Sequence, residues 1–327
     1  MSELKKSTRT SFAEAIVEVG EKNLDVVTIA ADSASRYGDF IKKFPERSFN
    51  VGIAEQTMVS VAAGMALCGK IPVVTSYANF LAFRAAEQIR VDVAGSKLNV
   101  KLIGTDTGFS SAWLGFTHLA LEDMGVIRAI PGIVIIDPAD AAEAYAATKA
   151  IFEYNGPVYM RLRGRKEEPV IFDKKKDFKI GKGEVIKEGK DALIIACGNA
   201  VYDSLKASEI LQSRGIRVTL VNMPTIRPLD EDLLLELTSS VDNIITVEHH
   251  NTTGGLGSAV AEFLTEKRPQ IRQLRLGVKD RFGTAGSEDM LKRGFGLDAE
   301  SIVISIENFL KNRTKWGGKN DENNFGQ

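Results

Sequence analysis

Apolar and polar positions along this chain switch between two periods. Phe12, Ala15, Ile16 and Val19 recur at helical spacing, and Ser11 followed by Glu14 reads as a capping box that opens the helix. A short apolar run at 26–31 predicts a strand, followed by a loop rich in Ser and Arg. A second helical pattern, from 55 to about 67, carries small residues on its faces and implies close packing. Runs rich in β-branched residues follow at 72–76, 100–104, 133–136 and 158–162, with helical segments between them, notably 139–154. Such strand–helix alternation predicts a mostly parallel α/β sheet.

From about 165 to 190 the rhythm breaks in a charged stretch of weak strand character that includes Lys174, Lys175 and Lys176, and a domain boundary is expected there. The alternation then resumes, with strands at 192–197, 218–222, 244–247 and 273–277 and helices at 202–214, 231–237 and 257–266. The reading is therefore two doubly wound α/β domains, 1–165 and a smaller one at 191–312, joined by a linker at 166–190. Residues 313–327, rich in Asn, Lys and Gly, read as a flexible tail. No internal repeat is evident.

Composition narrows the function. The length, 327 residues, suits two domains, and 42 basic against 43 acidic side chains leave a formal charge of −1, so nucleic acid is not an expected partner. No run of 18 apolar residues occurs and the N-terminus is polar, so neither a membrane span nor a signal peptide is expected. Cys68 and Cys197 lie far apart in apolar stretches and read as buried core thiols, which fits a reducing cytoplasm. With His118, His249 and His250 as the whole histidine complement, a three-histidine metal site is disfavoured and no metal ligand is assigned.

Gly254-Gly255-Leu256-Gly257 follows a strand and opens a helix, as phosphate-cradling loops do, but the spacing is not GxGxxG and no acidic residue closes the next strand. A tight strand-to-helix turn is the reading adopted, with His249 and His250 as packing or interface residues. Glu55 stands at the start of an apolar helix entered through Gly52-Ile53-Ala54. Two readings stay open for it: a carboxylate that complements the helix dipole, or an acid held against a low-dielectric wall. Tyr77, Phe80 and Phe83 sit at helical spacing and read either as a core stripe or as an aromatic wall.

Taken together, Gly52-Ile53-Ala54-Glu55-Gln56, the aromatics around Asn79, and Gly115-Phe116-Thr117-His118 followed by Glu122-Asp123 resemble the pyrimidine-binding domain of transketolases. Ile245 to His249, Gly254 to Gly257 and Arg281-Phe282-Gly283 are similar to the transketolase C-terminal domain, so the resemblance runs from about residue 9 to about 310. The Gly-Asp-Gly and Asn pattern with which that family binds magnesium and diphosphate is missing. The chain thus resembles the C-terminal subunit of a split transketolase, and the resemblance implies thiamine diphosphate, with Mg2+ held mainly by an N-terminal partner subunit in an α2β2 assembly.

The same resemblance assigns roles. Glu55 would bond the cofactor's pyrimidine, Tyr77, Phe80 and Phe83 would pack against that ring, and Asp32 would shape the cofactor site. His118 would lie near the donor's carbonyl and hydroxyl groups. Arg9 matches a phosphate-contacting arginine, with a surface arginine of no particular role as the other reading. Ser35 and Arg36 occupy a phosphate loop, and Arg163 or Arg165 flanks Gly164 where the family has an arginine. Leu114 replaces an aspartate that contacts a donor hydroxyl, and Asp106 stands where many transketolases have a histidine, as it does in deoxyxylulose-phosphate synthases. The implied activity is transfer of a two-carbon ketol unit from a ketose phosphate to an aldose, with a specialised donor such as apulose phosphate or a sulfonated or deoxy sugar. A 2-oxoacid dehydrogenase β-chain and a non-catalytic scaffold subunit are the competing readings.

Overall fold

The computed structural model describes residues 6–164, 166–172 and 177–312. Arg165, the three-lysine run and the tail expected at 313–327 lie outside the described residues. Among those described, β1 (Val26–Ala30), β2 (Ser48–Asn50), β3 (Ile71–Tyr77), β4 (Lys101–Thr105), β5 (Val134–Ile136) and β6 (Val158–Arg161) form a parallel sheet. A second sheet is built from β7 (Glu184–Lys187), β8 (Ala192–Ala196) and β9 (Val218–Asn222), then β11 (Asn243–Asn251) and β12 (Arg272–Val278). Between β9 and β11 the chain crosses back, and β10 (Thr225–Arg227) pairs antiparallel with β5, so the first sheet reads β10-β5-β6-β4-β3-β1-β2. The second reads β12-β11-β8-β9-β7, with β7 an antiparallel edge strand inside the expected linker.

The strands form where Val, Ile and Thr cluster, and β1, β4, β8 and β9 are buried from end to end, as parallel strands covered on both faces must be. The helix Thr8–Lys22 starts earlier than the expected capping box: Ser7 is the N-cap, accepting from the Thr10 amide, and buried Glu168 accepts from the Thr8 amide. The helix Glu55–Leu67 buries Met58, Val59, Ala62 and Ala63, but Gln56, Ser60, Gly64 and Leu67 on its other face are exposed. The close packing expected of this helix is therefore met on one side. Cys68, at the end of that open face, is exposed rather than buried, while Cys197 is buried as expected.

One hydrophobic core runs through both units, joining Met124 and Ile135 of the first to Val221, Met223 and Val260 of the second. The joint is also polar. Arg161, at the end of β6, is wholly buried and bonds Asp123 through Nε at 2.9 Å and Asp137 through Nη1 at 2.6 Å. From the second unit, Gly198 donates its amide to the Asp137 carbonyl at 3.0 Å, and the Gly125 amide donates to His250 Nε2 at 3.2 Å.

β4 is anchored at its base by Lys101, whose ammonium is buried and donates to the carbonyls of Tyr154 and Gly156 at 2.8 and 2.9 Å. Burial lowers the Lys101 pKa from 10.5 to about 7. Between those values the unfolded chain binds more protons than the folded one, so this lysine's contribution to stability grows as pH rises through that window. The free-energy gap between the wild type and Lys101→Met should therefore shift toward the wild type from pH ~7 to ~9 in urea unfolding. A gap that does not move with pH would mean Lys101 stays charged in the fold.

Candidate active site

The carboxyl ends of β1, β2, β3, β4 and β6 lie along one edge of the first sheet, where open parallel sheets place their ligands. Each sends a chemistry-bearing residue there: Asp32 after β1, Glu55 after β2, Tyr77 closing β3, Asp106 after β4 and Arg163 after β6. Asp32 and Asp106 take the left-handed backbone conformation, with φ of 69° and 60°, which turns the chain sharply at the strand ends.

Glu55 opens its helix with its carboxylate almost entirely buried, at 4% exposure. Ser76 Oγ donates to its Oε1 at 2.8 Å, and Arg84 Nη1 reaches both oxygens at 3.2 and 3.1 Å. The same guanidinium lies 3.9 Å from the centre of the Phe80 ring. Beside it Tyr77, Phe80 and His118 form an edge-to-face cluster, with centroids 5.0 to 5.3 Å apart. Asn79 Nδ2 donates to the Thr117 carbonyl at 2.6 Å and so ties the His118 loop to the helix that carries Phe80. The loop also leans on the second unit, where the Gly286 amide donates to the Ala112 carbonyl at 3.0 Å. Burial, helped by the charge of Arg84 and opposed by Asp106, lowers the His118 pKa from 6.5. At neutral pH this imidazole is therefore mainly uncharged and can both donate and accept.

Next to this cluster opens a cavity of about 420 Å3 whose wall includes Arg9, Arg36, Tyr77, Asp106, Arg163, Lys166 and Glu288. Four cations face two carboxylates, leaving a formal charge of +2 in the wall. Arg36 is fixed by Thr105 Oγ1 at 2.8 Å and lies 4.6 Å from the centre of the Tyr77 ring. Arg9 is buried, with Nη1 3.9 Å from Asp106 Oδ2, which removes the surface-arginine reading. Its position follows from the start of its helix, where Glu168 Oε1 accepts from the Thr8 amide and hydroxyl at 2.7 and 3.0 Å and Thr8 Oγ1 accepts from the Arg163 amide at 2.9 Å. Burial raises the Glu168 pKa to about 7. Arg163 pairs across the joint with Glu288 of the second unit, at 2.5 Å.

The structure thus gathers Glu55, Tyr77, Phe80 and His118 in one cluster and Arg9, Arg36, Asp106 and Arg163 in the adjoining wall. It leaves others aside. Phe83 shares the helix Ala78–Arg84 with Phe80 but is 53% exposed and makes no ring contact with the cluster, so the core-stripe reading does not hold for it. Asp32 and Ser35 are exposed on the rim, and Ser33 rather than Ser35 lines the cavity. Leu114 is half-buried and does not line the cavity, whereas its neighbour Trp113 does. Sequence reasoning missed Arg84, Ser110, Ser111, Lys166 and Glu288. For Arg84 a signal existed, an arginine one turn beyond Phe80, whereas Glu288 comes from the second unit and nothing local marks it.

The glycine turn at 254–257 is not an anion site. Glu248 accepts from the amides of Leu256 and Gly257, both at 2.8 Å, and a Cβ at Gly255 would come within 1.9 Å of its Oε2. The chain's own carboxylate fills the place a phosphate would take. His249 and His250 are buried beside it. Among the described residues no group of three or more His, Cys, Asp or Glu is arranged to hold a metal ion, and no helix is long and apolar enough to cross a membrane.

Two α/β units with a buried acid, an aromatic cluster and a cationic cavity at the strand ends define an α/β protein with a ligand cleft at the carboxyl edge of its parallel sheet. The transketolase pyrimidine-binding domain model matches residues 5–166 and the transketolase C-terminal domain model matches 181–302. The chain belongs to the transketolase family, which is thiamine diphosphate dependent. It is 38% identical to the 6-deoxy-6-sulfo-D-fructose transketolase subunit of a Clostridium species, over 90% of this chain and 92% of that one. It is 40% identical to an apulose-4-phosphate transketolase subunit of Actinobacillus succinogenes, over 89% of this chain and 94% of that one. A split-gene transketolase solved as an inactive β4 tetramer superposes with a TM-score of 0.84 at 40% identity, covering 94% of this chain and 98% of the other.

A wall with this charge should bind inorganic phosphate. At ten times its dissociation constant the ion should stabilise the chain by about 1.4 kcal/mol, read as a rise in melting temperature. Arg163→Met should remove most of that rise, and an equal rise in the variant would place the ion elsewhere.

Proposed function

We propose that this chain supplies the pyrimidine side of a thiamine diphosphate site and works as one subunit of a cytoplasmic transketolase. Its partner would carry the diphosphate-binding domain and hold Mg2+, in an α2β2 complex that moves a two-carbon ketol unit from a ketose phosphate to an aldose. The observation that carries the reading is the buried Glu55 carboxylate in a slot roofed by Phe80, a slot of the right chemistry for a planar ring with an N–H donor. Thiamine diphosphate, when bound, supplies a carbanion and electron sink. Glu55 holds the proton shared with a ring nitrogen, while Tyr77 and Phe80 fix the ring's plane. Uncharged His118 offers one nitrogen to the donor's oxygens. Arg9, Arg36 and Arg163 take the sugar phosphate, a task suited to planar forks.

Partner dependence is supported by the open face of the helix Glu55–Leu67 and by the 73% exposure of both Ile53, just before Glu55, and Leu67, at the helix's far end. Relatives named as transketolase subunits support it as well. Free Cys68 and Cys197 fit a reducing compartment. We take 1–165 and 191–312 as the two domains, with β7 completing the second sheet from within the linker.

The donor is proposed to be specialised. Leu114 puts an apolar group where a hydroxyl-reading aspartate is expected, and an unpaired buried hydroxyl costs about 1–3 kcal/mol. Relatives named for apulose 4-phosphate and a sulfonated fructose agree with that direction.

In the assembled complex, Glu55→Gln should cut ketol transfer by ~100-fold or more without loss of assembly. Full activity in that variant would remove the catalytic role of Glu55. Wild-type kcat/KM should favour an unusual ketose phosphate over xylulose 5-phosphate, and Leu114→Asp should move the ratio back by ~10-fold. Equal turnover of every ketose by both proteins would rule out a specialised donor.

A further inference from the structure

We propose that Arg84 is a placeholder for the cofactor's ring: in the cofactor-free subunit its guanidinium fills the slot between Glu55 and Phe80 and swings out before an aminopyrimidine enters. The proposal deepens the thiamine reading and rests on it. One planar cation makes both contacts that the ring would need. Its Nη1 donates to both oxygens of Glu55 at 3.1 and 3.2 Å, and its central carbon lies 3.9 Å from the middle of the Phe80 ring. A guanidinium and an aminopyrimidine are alike in being flat, delocalised and edged with N–H donors, so each satisfies the same acid and the same aromatic face. They cannot do so together.

The contact also explains how a carboxylate as buried as Glu55 is tolerated in a subunit without cofactor. Apart from Arg84, its hydrogen-bond partner is the Ser76 hydroxyl, and one neutral donor leaves a buried charge poorly compensated. Arg84 can also leave cheaply. It is the last residue of the helix Ala78–Arg84, and its side chain is 45% exposed against 4% for Glu55, so a change of rotamer carries the charge into solvent while the backbone stays in place. Burial comes first and the Arg84 charge second in holding the His118 pKa below 6.5, so the two side chains are electrostatically coupled.

If the slot is mostly filled by Arg84, apparent cofactor affinity is reduced by the fraction of molecules in which it is open. The test uses the complex assembled with its co-expressed partner subunit, and titrates thiamine diphosphate with Mg2+ by calorimetry for the wild type, Arg84→Met and Arg84→Lys. Melting temperatures of the cofactor-free subunits are measured beside it. Arg84→Met should bind the cofactor ~3–10-fold tighter while its cofactor-free form melts a few degrees lower, by about 2–4 °C for each kcal/mol lost. Arg84→Lys keeps the charge but lacks the flat fork, and should fall between; it carries the comparison if Arg84→Met does not fold. Unchanged affinity in the variants overturns the placeholder role, and weaker affinity marks Arg84 as a ligand of the cofactor instead. If the wild-type complex binds no thiamine diphosphate, the thiamine reading fails and the placeholder with it.

Discussion

The buried guanidinium of Arg161 is the constraint on which the rest of the site depends. It ends β6, is 2% exposed, and is neutralised by Asp123 and Asp137, while Tyr159 donates to Asp123 at 2.7 Å. A cation so placed is costly without its partners, so each carboxylate must stay where the guanidinium needs it. Asp123 heads the helix Asp123–Arg128 that follows the His118 loop, and Asp137 follows β5 and accepts from Gly198 of the second unit. One charge therefore fixes the end of β6, the return of the His118 loop and the seat of the second unit. Arg163 follows two residues after Arg161, and the position of its fork in the cavity is inherited from that lock.

The second unit is more than a neighbour. It contributes β10 to the first sheet, supports the His118 loop through Gly286, and places Glu288 against Arg163 in the cavity wall. Glu248, meanwhile, satisfies the amides of the glycine turn from within. That turn resembles a phosphate loop in sequence and lacks a free amide cradle in space. Anion chemistry is thereby concentrated at the first sheet's edge, where the cations are.

Much of this is legible in the sequence because parallel strands buried on both faces leave dense β-branched runs, and those runs locate the strands of both sheets except the short β2, β7 and β10. The buried acid at Glu55 and the basic residues Arg9, Arg36 and Arg163 are legible through the resemblance to transketolases. The failures have physical causes. The first helix starts away from its expected place because Ser11 imitates a cap that Ser7 and the distant Glu168 provide. Phe83 does not join a core stripe with Tyr77 and Phe80, because its turn of the helix Ala78–Arg84 faces outward and leaves the ring 53% exposed. Cys68 reads as core because it ends the apolar stretch Met65-Ala66-Leu67, which the structure places at an exposed helix end. Glu288 leaves no local trace, since its contact spans 125 residues and two units.

On the proposed reading, the electrostatics of the edge let two subsites share it. Between Glu55 and Phe80, the charges of Glu55 and Arg84 cancel, so that part of the edge is neutral and faced by an aromatic ring. In the cavity next to it the balance is +2, which matches a phosphate dianion but would disfavour a bare cation. His118 sits between them in contact with Tyr77 and Phe80, kept uncharged by burial and by Arg84. An uncharged imidazole at that point adds nothing to the positive charge of the wall, so the cationic character stays on the cavity side. On the proposed reading, that division leaves the sugar's phosphate to Arg9, Arg36 and Arg163 and the aromatic face of Phe80 to the cofactor's ring.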